Sequence, residues 1–184
     1  MDTVKKIRRN LIFRMKIGAL KIGSAGAVTF TGNGGKSQIA HSCNFSCDKN
    51  SKITLGKITA AQNSHIGAVG GGRLTLGDNV FLNRNCILAS RDSLTVGDNC
   101  RFGPNVCVYD HDHTFGRAKE RGEDFKTSPI VIGNNCWIGA NAVILRGSRI
   151  GDNCVIGAGC IITGEIPANS IVKANRDYEI IPIE

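Results

Sequence analysis

A six-residue repeat fills the second half of the chain and limits the folds open to it. From Ile132 the sequence reads IGNNCW, IGANAV, ILRGSR, IGDNCV, IGAGCI and ITGEIP. Each unit opens with Ile, and its fifth position is mostly Cys, Ala or Ser. Apolar residues six apart cannot line one face of an α-helix, where they recur every three to four residues. A unit of one short strand and one turn cannot bury its apolar side alone, so it must stack on copies of itself.

Three such units make a coil of 18 residues, which predicts a parallel β-helix with a triangular cross-section. Each short strand would pair with the coils above and below it. We expect the first Ile and the small fifth residue of each unit to point inward. The second residue is expected at the corner, where Gly tolerates a positive φ and Asn or Asp can bond their own backbone. The motifs IGNN, IGDN and AN, which begin at 132, 150 and 168, set the predicted spacing of the last coils.

Earlier segments fit the same frame less evenly. Units that begin at Leu76 and Val96 define a coil of 20 residues, and still earlier coils are expected at Leu55 and Ile39. The Gly run 70–72 is interpreted as a turn, because neither a helical pattern nor a Lys-Ser/Thr pair follows it, as a phosphate-binding loop would require.

One large break interrupts the repeat between Val96 and Ile132, which lie 36 residues apart. About 18 residues therefore leave the prism as a loop, placed at 110–129, and long loops on a rigid scaffold are functional or disordered. The segment 109–115 reads YDHDHTF and holds two of the four His of the chain. An Asp beside an imidazole can fix its tautomer, and such a His is a candidate general base. The alternative is a solvated polar loop.

The net charge of +8 is concentrated in the first 23 residues, which carry seven Lys or Arg against one Asp. Four apolar residues there are spaced for one helical face: Val4, Ile7, Leu11 and Met15. We predict a basic amphipathic helix at 1–23, followed by one β-helix domain at 24–184. The segment has no apolar run long enough to span a membrane and no signal-peptide pattern.

Three partners of this basic segment were considered. It could cover the open end of the prism, or it could contact an anionic membrane surface. Nucleic acid is disfavoured, because aromatic residues are not interleaved with the basic ones.

The eight Cys are not spaced as a disulfide framework. Six fall on the inward fifth position, where a free thiol packs as a small apolar group: Cys43, Cys86, Cys100, Cys136, Cys154 and Cys160. This usage predicts a reducing, cytoplasmic location, with the inner face of the membrane as the alternative site of contact. A zinc site is not predicted, because no second Cys/His pair with zinc spacing is present.

Four segments carry a resemblance to a known family: FLNRNCIL, VGDNCRFGPNVCVYDHDH, PIVIGNNCWIGANAVI and IGAGCIITGEIPANSIV. In these the chain resembles the hexapeptide-repeat acyltransferases, in particular maltose and galactoside O-acetyltransferases and the enzymes that acetylate bacterial surface polysaccharides. The resemblance covers about residues 74–172. It implies an all-β fold with a left-handed parallel β-helix, acetyl-CoA as cosubstrate and no required metal. It also implies a sugar or polysaccharide hydroxyl as acceptor, and a homotrimer with active sites between subunits.

The resemblance also implies roles for particular residues. His113, not His111, matches the family's general base, and Asn83 matches a residue that holds the acceptor. Further acceptor contacts are expected from Asp92, Asp110 and Asp112. Residues expected to contact the coenzyme A arm are Trp137, Gly139, Ala140, Ala158 and Thr163.

Two departures from the family pattern affect the nucleotide end of the coenzyme site. Gly164 stands where Lys often follows the matching Thr, and Lys-Ala-Asn-Arg-Asp at 173–177 replaces a Gly-x-Pro-Ala turn. Lys173 or Arg176 is the expected substitute for the missing basic residue. The sugar-binding carboxylate of the galactoside enzymes aligns with Arg91, one step from Asp92, so a simple galactoside is not the expected acceptor.

Three other functions remain open at the level of sequence. One is N-acetylation of an amino sugar, serine or an antibiotic on the same fold. Another is a metal enzyme of the carbonic anhydrase kind, for which His65, His111 and His113 are the candidates, although their spacing is unlike that family. The third is a scaffold without catalytic activity, which the altered C-terminal motif keeps open.

Overall fold

The computed structural model describes residues 28–114 and 124–174. The predicted basic helix at 1–23 and its membrane contact lie outside the described residues, as does Arg176. Across the described ranges we find no helix with the length and apolar character needed to cross a membrane.

Short strands make up nearly all of the described chain, together with one 3-10 turn at Gly34–Lys36. In chain order the strands are β1 (Val28–Phe30), β2 (Gln38–Ile39), β3 (Asn44–Cys47), β4 (Lys52–Leu55), β5 (Ile58–Ala60), β6 (His65–Ala68), β7 (Arg73–Leu76), β8 (Val80–Leu82), β9 (Ile87–Ser90), β10 (Ser93–Val96), β11 (Arg101–Phe102), β12 (Cys107–Tyr109), β13 (His111–His113), β14 (Phe125–Thr127), β15 (Ile130–Ile132), β16 (Trp137–Ile138), β17 (Val143–Leu145), β18 (Arg149–Ile150), β19 (Val155–Ile156), β20 (Ile161–Ile162), β21 (Glu165–Ile166) and β22 (Ile171–Val172).

Three parallel sheets form the sides of a prism, which confirms the predicted parallel β-helix. Sheet 1 has the order β1-β4-β7-β10-β15-β18-β21, and sheet 2 has the order β2-β5-β8-β11-β16-β19-β22. Sheet 3 has the order β20-β17-β12-β9-β6-β3. The chain visits the three sheets in turn, so each strand pairs with its equivalent one coil away.

The inward positions are those that the repeat predicted. The first Ile of the five units from Ile132 to Ile156 is at most 2% exposed, and the fifth residues Cys136, Ala142 and Cys154 are at most 1% exposed. All six cysteines expected in the core are buried and free, while Cys47 and Cys107 are half-buried. One continuous apolar column thus runs along the prism axis.

The prediction for the corner residue is wrong in one respect. Positive φ falls on the fourth residue of the unit, as at Asn135 (56°) and Asn153 (57°), not on the second. The Gly at the second position serves close approach between coils instead. A Cβ added at Gly133 would lie 2.3 Å from the Asp152 carboxylate oxygen and 2.8 Å from the Asp152 backbone nitrogen.

The coil lengths follow the sequence estimate except at the end. Leu55, Leu76 and Val96 stack in register, as predicted. Ile150 pairs with Ile166, so the last coil has 16 residues and not the predicted 18. The turn after β20 is two residues short, with Gly164 at φ +80°. The Gly run at 70–72 forms a turn, as expected.

The small fifth residue does more than fill space. The thiols of Cys100, Cys136 and Cys154 donate to backbone carbonyls of the next coil at 3.0, 3.2 and 3.1 Å. The Ser64 hydroxyl makes the equivalent bond to the Asn83 carbonyl at 2.9 Å. A buried carbonyl without a donor would be costly, so Cys and Ser at this position help to join successive coils.

The inward and outward positions can be compared on one strand. Ile132 is 1% exposed and its neighbour Val131 is 36% exposed. Replacing Ile132 with Ala should lower the free energy of unfolding by about 2–5 kcal/mol, because it leaves a cavity in the column. Val131→Ala is the matched control and should cost less than about 1 kcal/mol. Urea unfolding of both variants measures this, and equal losses would contradict the inward assignment.

Burial also makes stability depend on pH through Cys86. Desolvation raises the pKa of its thiol from 9.0 to about 11. Between these values the unfolded chain has lost the proton and the folded chain keeps it, so this contribution is complete below pH 9 and falls as pH rises towards 11. We expect a loss on the order of 2 kcal/mol over this range. Unfolding titrations of the Cys86→Ala variant should show a smaller slope, and parallel slopes would contradict the assignment.

Candidate active site

The one long insertion leaves the prism at the corner between sheet 3 and sheet 1. Its two arms, β13 and β14, pair antiparallel as a ribbon, with Asp112 opposite Lys126 and His113 opposite Phe125. The predicted loop at 110–129 is therefore ordered strand at its base, while 115–123 lie outside the described residues. The Ser128 backbone nitrogen donates to the Asp110 carbonyl at 2.9 Å and closes the corner beneath the ribbon.

Asp110 anchors this corner and is completely buried. Its carboxylate accepts from the Ser90 hydroxyl at 2.7 Å, from the Arg91 backbone nitrogen at 2.8 Å and from the Asp92 backbone nitrogen at 3.0 Å. The expectation that Asp110 binds the acceptor is thus wrong, because the group is inaccessible and its oxygens are occupied by the coil above.

His111 completes the shell around the same carboxylate. Its Nδ1 lies 3.0 Å from an Asp110 oxygen, and its side chain is 16% exposed. An ionised carboxylate only accepts hydrogen bonds, so Nδ1 carries the proton. This bond fixes the ring of His111 to the prism and directs its Nε2 away from it.

His113 is exposed at the end of the ribbon. Its ring centroid lies 4.6 Å from that of Phe125, with the planes tilted by 50°. Phe125 also meets His111 edge to face at 5.6 Å. On Phe125, the guanidinium carbon of Arg91 lies 3.5 Å from the ring centroid. The two histidines and Arg91 thus share one aromatic ring.

A surface cavity of about 580 Å³ adjoins these rings. It is lined by Tyr109, His111, Asp112, His113, Lys126 and Arg146. Arg146 Nε donates to the Asp112 carboxylate and ties the ribbon to the next coil. Burial and the nearby Cys107 raise the pKa of Tyr109 to about 12, so its hydroxyl keeps its proton at neutral pH. The cavity offers imidazole, hydroxyl and charged groups on one wall, an arrangement suited to binding a polar molecule beside a base.

The other residues predicted for the site lie on a different corner. Asn83, Gly139, Ala140, Ala158 and Lys173 all follow sheet 2, at its corner with sheet 3. Backbone bonds stack this corner coil on coil. Trp137 is on the outer side of sheet 2 and is 58% exposed.

Two predicted residues lie with the ribbon instead. Asp92 follows β9 at the same corner, and Thr163 follows β20 there. One chain therefore divides the predicted residues between two corners separated by the width of sheet 3.

Four residues that shape the cavity were missed as site residues: Arg91, Phe125, Lys126 and Arg146. A single aromatic residue in the charged run that returns to the prism was the available signal for Phe125. Nothing in the spacing pairs Arg91 with a ring 34 residues later. In the described part of the chain no group of three His, Cys, Asp or Glu is placed to hold a metal ion.

Comparison with known proteins bears on this geometry. Residues 129–164 match the family model described as bacterial transferase hexapeptide (six repeats). This chain belongs to the hexapeptide-repeat family. The match coincides with the most regular coils of the prism, from β15 to the turn after β20.

Relatives of this hexapeptide-repeat protein include the galactoside O-acetyltransferase of Escherichia coli strain K12, 39% identical over 101 residues, or 55% of this chain and 50% of the relative. A crystal structure of a maltose O-acetyltransferase from Clostridium difficile 630 is 35% identical, with a TM-score of 0.56, covering 64% of this chain and 62% of the other. A hexapeptide-repeat acetyltransferase from Vibrio cholerae, solved with acetyl coenzyme A, is 25% identical, with a TM-score of 0.56, covering 65% and 64%. The chain spans about half the length of the curated relatives it matches.

Proposed function

We propose that this hexapeptide-repeat protein is an acetyl-CoA-dependent O-acetyltransferase that acts on a hydroxyl of a sugar or surface polysaccharide. The observation that carries the proposal is the exposed His113 beside a polar cavity, on the insertion of a hexapeptide-repeat prism. The names of the galactoside and maltose enzymes support the reaction and the acceptor class.

His113 is proposed as the general base. A thioester carbonyl is already electrophilic, but a hydroxyl is a poor nucleophile until its proton is removed. His113 takes that proton as the oxygen attacks the acetyl carbon, the carbon–sulfur bond then breaks, and His113 returns the proton to the departing thiolate. A placed base of this kind contributes roughly 10²–10⁴ in rate. Asn83 or a backbone N–H is proposed to stabilise the oxyanion.

Direct transfer without an acyl-enzyme is proposed, and the thiols support it. The thiolate is the nucleophilic form of Cys. Six of the eight thiols are buried in the prism, and burial raises the pKa of Cys86 to about 11. The cavity lining includes no Cys or Ser.

The corner between sheets 2 and 3 is the proposed coenzyme site. Gly139, Ala140 and Ala158 have small side chains, which leave backbone groups open to an extended arm, and exposed Trp137 offers an apolar face beside it. Lys173 follows on the last coil and is the proposed partner of the nucleotide end, with Arg176. The acetyl coenzyme A bound to the Vibrio cholerae relative supports this cosubstrate.

A second copy of the chain is proposed to complete each site. His113 and the coenzyme corner lie at opposite edges of sheet 3, so one chain alone does not unite them. The outer side of sheet 3 carries a column of apolar residues, Ile87, Cys107, Val143 and Ile161, of which Ile161 is 70% exposed. We propose that this face packs in a homotrimer, which brings the coenzyme corner of one copy to the His113 ribbon of the next. Asp92 and Asp112, on the ribbon corner, are the proposed acceptor contacts.

Calorimetry with acetyl-CoA on chelator-treated protein tests the first step. We expect micromolar binding, about −8 kcal/mol at 1 μM. An acceptor screen should then compare neutral sugars, acidic sugars and amino sugars, with alkali-labile product identifying an O-acetyl ester. Absence of coenzyme binding would overturn the transferase proposal, and alkali-stable product on amino sugars alone would replace O-transfer by N-transfer.

A further inference from the structure

We infer that Phe125 is the positioning residue that orients His113, and that Arg91 holds Phe125 in place from its other side. The inference rests on the proposed function, since it concerns the residue proposed there as base. It adds two residues, one on the returning arm of the ribbon and one on the coil above, to which no role was assigned. The basis is a set of ring and cation contacts at the base of the ribbon.

The two histidines are held in different ways. His111 is fixed by its bond to buried Asp110 at 3.0 Å. Within residues 28–114 and 124–174, the ring of His113 has no hydrogen-bond partner, and its side chain is exposed. Its orientation in the structure therefore comes from packing. The described ring that it packs on is Phe125, at 4.6 Å between centroids.

Register explains why these rings meet. His113 and Phe125 are direct cross-strand partners in the antiparallel ribbon. Such partners have Cβ atoms about 4.5–5.5 Å apart, close enough for two rings to contact. His111 lies on the same side of β13, two residues earlier, and reaches Phe125 diagonally at 5.6 Å. Phe125 thus lies against both imidazoles and keeps His113 beside the cavity.

Arg91 secures Phe125 to the prism. Its guanidinium lies over the ring at 3.5 Å, a cation–π arrangement. Its backbone nitrogen donates to the carboxylate of Asp110, which also binds His111. Buried Asp110 therefore fixes the backbone beneath Arg91 and the ring of His111, and Arg91 transmits that position to Phe125. The path from the rigid coil to His113 runs through two contacts, each with a printed geometry.

A leucine at position 125 keeps apolar volume but removes the ring. Because a misplacement of about 1 Å can cost up to about 10² in rate, we expect Phe125→Leu to lower kcat by about tenfold. Its KM for acetyl-CoA should stay within about twofold, because the proposed coenzyme corner is elsewhere. Phe125→Tyr keeps the ring and should retain at least about half of the wild-type kcat. Phe45→Leu, in the first coil, is the matched control and should leave kcat unchanged.

A second readout needs no turnover. The ring of Phe125 should displace the proton resonances of the His113 imidazole through its ring current, and the His113→Ala spectrum identifies those resonances. In Phe125→Leu they should move towards the position of an exposed histidine, and in Phe125→Tyr they should stay. Arg91→Gln should broaden them or move them part of the way. Far-ultraviolet circular dichroism confirms that each variant retains the prism.

The outcomes separate this inference from the function beneath it. A tenfold loss in Phe125→Leu with recovery in Phe125→Tyr supports it. Wild-type kcat in a folded Phe125→Leu protein, or equal losses in the Leu and Tyr variants, would overturn it. If His113→Ala retains activity, the assignment of the base fails, and the resonance shifts then report only a structural contact. Unchanged His113 resonances in Phe125→Leu would also overturn the inference, whatever the activity.

Discussion

Replacing His113 with Ala is expected to lower kcat by about 10²–10⁴-fold, the usual contribution of a placed general base. Affinity for acetyl-CoA should change by less than about twofold, since the proposed coenzyme corner lies across sheet 3. Steady-state kinetics with a responsive acceptor, together with calorimetry, measure both quantities.

Two further histidine variants make this result specific. His111→Ala should have a milder effect on kcat than His113→Ala, because His111 is tied to Asp110 and is proposed to support the site. His41→Ala, in the turn between β2 and β3 at the far end of the prism, should behave as wild type. Wild-type activity in His113→Ala, or a larger loss in His111→Ala, would refute the assignment.

Asp110→Ala should have the largest effect on stability among the residues of the site. The substitution leaves the Ser90 hydroxyl and the Arg91 and Asp92 nitrogens without their buried acceptor. Each buried group left unpaired costs about 1–3 kcal/mol, so we expect a loss of about 3 kcal/mol or more in the free energy of unfolding. Urea unfolding measures it. The variant should also lose activity, because the anchor of His111 and of the ribbon is removed.

Two comparisons test the explanation for Asp110. Asp110→Asn keeps an acceptor oxygen of the same size and should lose less stability than Asp110→Ala. Asp152→Ala removes an exposed corner carboxylate that accepts from the Asn134 backbone nitrogen, and should cost about 1 kcal/mol or less. If Asp110→Ala and Asp152→Ala lose the same amount, Asp110 is not the anchor that its burial indicates.

The repeat predicted the prism because burial acts on every coil alike. An inward Ile and a small fifth residue recur in each unit, so any one unit reports the architecture of all. The same logic placed six cysteines in the core. Where the repeat shortens, as between Ile150 and Ile166, the sequence contains no marker of the missing two residues, and the prediction failed there.

The corner conformation was mistaken for a different reason. Gly suggests conformational freedom, but at Gly133 the constraint is the proximity of the next coil, which depends on stacking. Asn135 takes the left-handed conformation instead. Asn tolerates this region better than most residues, and this preference was the available signal.

The candidate site was predictable only in part. The histidines of the YDHDH segment stand out in the sequence, but the burial of Asp110 does not, because an Asp in a polar loop looks like any exposed carboxylate. The contact of Arg91 with Phe125 joins residues on either side of the insertion. Such contacts depend on how the ribbon folds back, which no local pattern records. The roles of Asn83, Trp137 and Thr163 stay predictions.

The hydrogen bond from Ser128 to the Asp110 carbonyl closes the prism beneath the ribbon, and β10 still pairs with β15 in register across the insertion. Folding of the coils thus makes few demands on what lies between those two residues. Substitutions, insertions and deletions in the ribbon can then accumulate while the scaffold persists, since lengthening a surface loop carries only a small entropic penalty. A lineage built on this chain could exchange acceptors by replacing one short segment, which makes the insertion a natural point for diversification and for grafting by protein engineers.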